Sequence, residues 1–179
     1  MEALNKLRGQ GKLESCEIHA GTVAVTAHGG ADLKKLSFSD SVLKVDADLD
    51  DVARKVEFMK LGFSFGGKVH IDSKLEGTGD IAKAVSTVRV SALKLLGFQG
   101  KNLGPIDLTM DAVANIDLRP GGKSTLDSFN LVSGLVDADA KGEATDAMEM
   151  KKTAGSATVH VKAYPAAINE KLGDFLMGY

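Results

Sequence analysis

The sequence has few of the residues that build disulfides, zinc sites and aromatic cores. It contains one cysteine, three prolines, no tryptophan and 5% aromatic residues among 179. The single cysteine, Cys16, excludes an internal disulfide and a cysteine-rich zinc site. The net charge is also small, at −2 from 22 basic and 24 acidic residues. No global field therefore attracts polyanions, and we expect no nucleic-acid partner.

Long hydrophobic runs are missing as well. No stretch approaches the roughly 18–20 consecutive apolar residues of a membrane span. The first 15 residues, MEALNKLRGQGKLES, lack the apolar core of a signal peptide. Two compartments stay open at this point: the cytosol, or the envelope if an export or anchoring segment belongs to a longer protein. With 44% hydrophobic and 26% charged residues, the composition is that of a globular protein.

What the sequence does contain is alternation of apolar and polar residues. The clearest stretch is 106–119, where the even positions are apolar and the odd positions are mostly polar. Shorter stretches repeat the pattern at 16–20, 23–28, 43–49, 69–76, 88–92, 136–141 and 159–163. Successive side chains of a strand point to opposite faces, so this period predicts antiparallel strands with one apolar and one solvated face. We expect a mainly β protein of eight to ten long strands, in a single β-rich domain over 1–179.

Two segments depart from this period and predict short helices. Residues 50–61 carry apolar side chains at helical spacing, with Asp50 as the expected N-cap. Residues 165–177 begin with Pro165 at the first helical position and make a C-terminal helix within 165–179. Residues 1–12 are either a short helix, over 2–8, or an added tail. Glycine pairs such as Gly29-Gly30 and Gly66-Gly67 are expected between strands, where tight reversals suit glycine.

Such a sheet needs a cover for its apolar face, and two short helices cannot cover all of it. The sheet could fold as a sandwich, close as an open barrel-like structure, or curl into a groove. The apolar side chains are small and aliphatic, which favours the curved, groove-like sheet. The candidate groove residues are Val69, Ile71, Val88, Val90, Leu108, Met110, Ile116 and Leu118.

Motifs for chemistry are weak. The stretch 77–82, GTGDIA, matches part of a dinucleotide-binding fingerprint, but the strand before it alternates and no acidic residue follows at the expected distance, which favours a turn. His19, His28, His70 and His160 all fall on solvated strand positions without metal-ligand spacing. Cys16 is expected to be a buried, inert thiol on the apolar face. We therefore expect no catalytic residues, no metal, no cofactor and no enzyme activity.

An acidic run comprises Asp46, Asp48, Asp50 and Asp51. It lacks the glycine and the final glutamate of a calcium-binding loop. A solvated strand face that continues into a helix start is the better interpretation.

From residue 65 onward, the strands and glycines follow a recognisable order. The stretch FGGKVHIDSKLEGTGDIAKAVSTVRVSALKLL is followed by LGPIDLTMDAVANIDLRPGG and by the closing SATVHVKA before the last helix. Over roughly 110 residues this order resembles protein N of type II secretion systems (GspN, deltaproteobacterial type). More distantly it resembles AsmA-like periplasmic proteins, whose curved sheets form hydrophobic grooves. The resemblance lies in the order and spacing of strands and glycines and not in invariant motifs.

The resemblance implies a periplasmic protein that is anchored in the inner membrane by an N-terminal helix absent from this chain. It implies partners among other secretion-system or envelope proteins, and phospholipid as a ligand. Two functions follow as hypotheses: a structural β-domain of the secretion apparatus that works through sheet edges, or a lipid-binding or lipid-transfer groove. A small-substrate enzyme would need polar residues to converge in a cleft with perturbed pKa values.

Overall fold

The described part of the chain forms one antiparallel sheet of nine long strands with two helices. The computed structural model describes residues 10–32, 37–56, 62–98, 101–117, 119–146 and 153–176. The strands are β1 (Gln10–Ala20), β2 (Val23–Asp32), β3 (Ser37–Asp48), β4 (Ser64–Thr78), β5 (Ile81–Phe98), β6 (Lys101–Asp117), β7 (Lys123–Val132), β8 (Val136–Thr145) and β9 (Ala154–Ala163). The helices are α1 (Leu49–Val56) and α2 (Pro165–Leu176). The prediction of a mainly β fold with two short helices is confirmed.

The strands follow one another in space in the same order as in the chain, β1 to β9. Every neighbouring pair is antiparallel, so the sheet is a meander. The sheet curls without closing, and the described parts of β1 and β9 form its two edges. Nine is an odd number, so β1 and β9 run in the same direction and closure would require a parallel pair between them. The structure is the curved open sheet that the sequence favoured, and the sandwich alternative is wrong.

Two expectations about glycine are wrong for the same physical reason. Gly29-Gly30 lies inside β2 and Gly66-Gly67 lies inside β4, each beside a shift in strand register. Gly67 has a φ of +122°, which other residues rarely adopt. A β-bulge can place glycine in such a conformation just as a turn can, so glycine spacing alone cannot separate the two.

Helix α1 follows β3 directly, and its start differs by two residues from the prediction. The backbone N–H of Asp51 donates to Asp48 Oδ1 at 3.2 Å, which makes Asp48 the N-cap in place of Asp50. Asp50 instead accepts a 3.0 Å hydrogen bond from the N–H of Gly67, on a part of β4 that extends beyond the β3 pairing. The helix ends at Val56, and predicted residues 57–61 lie outside the described residues.

Helix α2 begins at Pro165, as the sequence predicts, and its described part ends at Leu176. Residue 177 and the predicted helix over 2–8 lie outside the described residues.

The described part of the chain has little buried core. Its buried apolar residues are Ala53, Ala82 and Ala140, and it contains no large side chain that is fully buried. Because nearly every apolar strand residue is half-buried or exposed, the sheet is a single layer over these residues and not half of a two-layer core.

Candidate functional site: an apolar sheet face

The candidate groove residues come together on the three longest strands. Val69, Val90 and Leu108 are register partners across β4, β5 and β6, and so are Ile71, Val88 and Met110. Directly opposite residues share a face at about 5 Å, so these six side chains form one patch. Ile116 lies on the same face of β6 but about 20 Å further along the strand, at about 3.3 Å per residue. Leu118 lies outside the described residues.

This patch is the middle of a surface that crosses the whole sheet. One continuous line of register partners, the apolar row, contains one apolar residue from each of the nine strands. Its members are Ile18, Val25, Val45, Ile71, Val88, Met110, Leu131, Ala138 and Val161. At about 4.8 Å between strands, the row is about 38 Å wide. We call the side of the sheet that carries it the apolar face.

Exposure along the apolar row rises towards the edges. Ile71, Val88 and Met110 in the centre are half-buried, whereas Ile18 is 55% and Val161 is 64% exposed. The curl of the sheet and the neighbouring side chains thus shield the centre only in part. A partly exposed apolar surface this continuous is rare on a soluble protein and usually marks an interaction site.

A pair of serines interrupts the apolar face near its centre. Ser73 and Ser86 are register partners of β4 and β5, and their hydroxyl oxygens lie 2.7 Å apart. Each hydroxyl therefore has a partner in the other, which reduces the free-energy penalty of covering them with an apolar group.

Strand β7 contributes residues that alternation alone misses. Leu126 pairs with Ala114 and Phe129 pairs with Ala112, so both lie on the apolar face although they are three residues apart. A register shift between them causes this offset. The signal in the sequence is the spacing of Leu126, Phe129 and Leu131, which fits one face only if a bulge is allowed.

The opposite side of the sheet, the polar face, has its own continuous line. We call it the polar row, and it consists of Glu17, Thr26, Lys44, Asp72, Thr87, Asp111, Asn130, Asp139 and His160. Several neighbours in it are joined by polar contacts. Lys44 Nζ lies 3.6 Å from Asp72, and Thr87 donates to Asp111 at 2.7 Å.

The histidines lie where the sequence places them, on the polar face. His70 Nδ1 is 2.6 Å from Asp46, and His160 Nδ1 is 3.0 Å from Asp139. Among the described residues, no group of three or more His, Cys, Asp or Glu side chains could hold a metal ion.

Cys16 lies on the apolar face as expected, but it is half-buried and not buried, because β1 is an edge strand.

The GTGDIA stretch is a hairpin turn, as predicted. Thr78 and Ile81 are register partners, and Gly79 with φ of +71° begins the two-residue turn between β4 and β5.

The acidic run lies partly on the polar face and partly at the start of α1. Asp46 bonds His70, while Asp50 lies 2.7 Å from Lys94 Nζ. The pKa of Asp50 is lowered by Lys94 first and by the Gly67 N–H second. Hydrogen bonds from Lys55 and then Thr22 lower the pKa of Asp51 to about 2. These carboxylates hold α1 against the ends of the strands.

A second ion-pair cluster, which the sequence did not reveal, lies at the opposite end of the sheet. Arg119 Nη2 donates to Asp117 at 2.6 Å, and its hydrogen bonds lower the pKa of Asp117 to about 2. The buried Asp117 N–H donates to Ser124 Oγ at 3.0 Å across the β6–β7 turn. These contacts stabilise the turn between β6 and β7.

Comparison with known proteins gives no relative from which to assign the site. No family model, no curated protein and no solved structure matches the chain. Over the residues described, neither helix is long and apolar enough to cross a bilayer.

Proposed function

We propose that the protein is a non-enzymatic lipid-binding module whose apolar face binds the acyl chains of a phospholipid. The observation that carries the proposal is the apolar row, unbroken across all nine strands. Apolar side chains without a polar gap along the row suit a flexible hydrocarbon chain better than a defined small molecule, which needs placed polar groups for orientation.

The energetics support an occupant of this kind. Each methylene moved from water onto an apolar surface contributes about 0.8 kcal/mol, so ten methylenes contribute about 8 kcal/mol before the unfavourable terms of association. The face offers a path of about 38 Å along the apolar row. That length exceeds one extended acyl chain.

The compartment and the partners belong to the same proposal. A phospholipid ligand fits a periplasmic protein close to a membrane, as the resemblance to AsmA-like proteins and to GspN implies.

The test is transfer of lipid from vesicles to the purified protein. Vesicles of phosphatidylethanolamine and phosphatidylglycerol would carry a trace of phospholipid with a fluorophore on its acyl chain. We expect near-equimolar transfer to the protein, seen as fluorescence that co-elutes with it in gel filtration.

A matched pair of double variants locates the binding surface. Val88 and Met110 are register partners on the apolar face, and Val85 and Val113 are register partners on the polar face of the same two strands. Val88→Asp with Met110→Asp should abolish transfer, whereas Val85→Asp with Val113→Asp should preserve it. Equal loss in both, with both proteins folded by circular dichroism, would refute the assignment to the apolar face.

A second candidate function is strand addition at β9, which is the role in a secretion apparatus that the GspN resemblance implies. All ten residues of β9 are exposed, and its register with β8 is regular throughout. A regular, exposed edge is a template for another strand, since it lacks the bulges and prolines that block pairing.

Photo-crosslinking tests this candidate. A crosslinking residue in place of Val161, compared with one in place of Lys141 on β8, should capture a secretion-system protein only from the β9 position. Crosslinks to lipid alone at Val161 would favour the lipid proposal instead.

A further inference from the structure

A cavity of about 470 Å³ lies between α2 and the polar face, at the end of the sheet where β6 begins and β7 ends. Thr109 and Val132 in its wall are register partners, and they alternate with Met110 and Leu131 of the apolar row. The cavity therefore lies mainly on the opposite side of the sheet from the proposed lipid surface. Ile106, which shares the parity of Leu108 and Met110 on β6, also lines it at the strand end. Its volume falls within the roughly 300–1,000 Å³ of ligand pockets.

The position of α2 that creates this space is held by contacts at the helix start. Tyr164 Oη donates a 2.6 Å hydrogen bond to Asp137 on β8, and Lys162 Nζ lies 4.8 Å from the centre of the Tyr164 ring. The first helical hydrogen bond runs from the Ile168 N–H to the Tyr164 carbonyl at 2.9 Å. These contacts place Ala167 and Lys171, one turn apart, over the cavity.

The wall of the cavity is largely apolar, with few charged groups. Its apolar members are Pro105, Ile106, Val132, Leu135 and Ala167. Lys171 is the one cation among the described lining residues, and Asp107 is the one anion.

The two charged groups are not equally free to bind a ligand. Asp107 already accepts a 2.8 Å hydrogen bond from the N–H of Ala92. Lys171 Nζ lies 3.8 Å from Glu170, a neighbour in sequence whose side chain is 74% exposed. A solvent-exposed pair at this distance contributes little, so the Lys171 ammonium can exchange that partner for an anion.

We propose that this cavity binds a small apolar carboxylate, such as a medium-chain fatty acid. The hydrocarbon chain lies between Ala167 of α2 and Val132 of β7, and the carboxylate accepts hydrogen bonds from Lys171 Nζ. A charged head at the rim with an apolar body inside matches the separation of polar and apolar groups in the wall.

The test is titration of the full chain, labelled with ¹⁵N, with octanoate, octylammonium and octanol, which differ only in the head group. We expect octanoate to shift the amide signals of Val132, Leu135 and Ala167 at lower concentrations than the other two. Lys171→Gln should weaken octanoate binding about tenfold, as expected for loss of one charge-assisted hydrogen bond. Lys141→Gln, on β8 away from the cavity, is the matched control and should leave the affinity unchanged.

Two further variants separate this site from the apolar face. Ala167→Trp should fill the cavity and abolish octanoate binding, while Val88→Asp with Met110→Asp should leave it intact. Tighter binding of octylammonium than of octanoate would overturn the charge assignment. Shifts confined to the apolar face, or no shifts with any ligand, would overturn the site itself.

Discussion

The apolar row and the polar row cross the same nine strands one residue apart, yet their side chains are stabilised in different ways. The members of the polar row can satisfy one another and water, as the contacts of Lys44 with Asp72 and of Asp139 with His160 illustrate. The members of the apolar row gain free energy only when something covers them. The same backbone therefore presents one self-sufficient surface and one that requires an occupant.

The rows also show what bulges contribute to this sheet. Several strand pairs contain register shifts, for example at Gly66–Lys68 in β4 and at Leu126–Phe129 in β7. Each row nevertheless continues from strand to strand without a break. A slip of one residue would exchange the two faces of a strand, so the bulges curve the sheet without mixing its surfaces.

The largest expected effect comes from breaking the register at such a bulge. A side chain on Gly67 would meet the Ser91 and Ala92 carbonyl oxygens at 2.8–2.9 Å, in a conformation with positive φ. Gly67→Ala should destabilise the protein by about 3 kcal/mol, because steric strain adds to the backbone penalty. Urea unfolding measures this loss.

Gly79→Ala is the matched control. Gly79 has positive φ, but a Cβ there meets nothing within 4 Å. We expect a loss of about 1 kcal/mol from the backbone conformation alone. Equal losses at the two positions would show that the close approach at the bulge does not matter.

Truncation within the apolar row should have an intermediate effect. Met110 is half-buried, so Met110→Ala should lower the free energy of unfolding by about 1–2 kcal/mol, less than the 2–5 kcal/mol of a fully buried methionine. Chemical denaturation without lipid provides the measurement. A loss above about 3 kcal/mol would mean that the apolar face is packed core and not an open surface.

Acid should act on the polar contacts and leave the apolar row unaffected. The pKa of Asp51 is about 2 in the folded protein, below its ordinary value of 3.8. Its contribution to stability is therefore complete above about pH 4 and is lost as the pH falls towards 2. Asp51→Asn should make the decline in unfolding midpoint between pH 4 and pH 2.5 shallower than in the wild type, and an unchanged slope would contradict the ion-pair assignment.

The smallest expected effect lies in the polar row itself. Lys44 and Asp72 are both substantially exposed, so a double-mutant cycle to alanine should give a coupling free energy below about 0.5 kcal/mol. A coupling several times larger would mean that the polar row is a cooperative network instead of a set of independent surface pairs.

The sequence predicted the faces of this sheet better than its interruptions. Alternation placed Val69, Ile71, Val88, Leu108 and Met110 on one face, because residue parity decides the face of a regular strand. Alternation did not reveal β7, because the bulge between Leu126 and Phe129 moves the apolar face of that strand from even to odd positions. It also assigned Gly29-Gly30 and Gly66-Gly67 to turns, since bulges and turns both favour glycine.

The helix environments were the least predictable part. The N-cap is Asp48 and not Asp50 because the partner of Asp50, the Gly67 N–H, becomes available only when β4 extends beyond β3. The cavity under α2 depends on how Tyr164 and Asp137 meet, 27 residues apart in the chain. Local sequence carries no signal for contacts at such separations.

The most direct measurement of the central claim is native mass spectrometry of the purified protein, followed by organic extraction and lipid analysis. An open apolar face predicts a phospholipid adduct at near-stoichiometric amount. The adduct should be absent from a Leu108→Asp, Met110→Asp double variant that remains folded. A lipid-free mass, unchanged after incubation with phospholipid, would contradict the claim and would direct the search to protein partners at the edge strand β9.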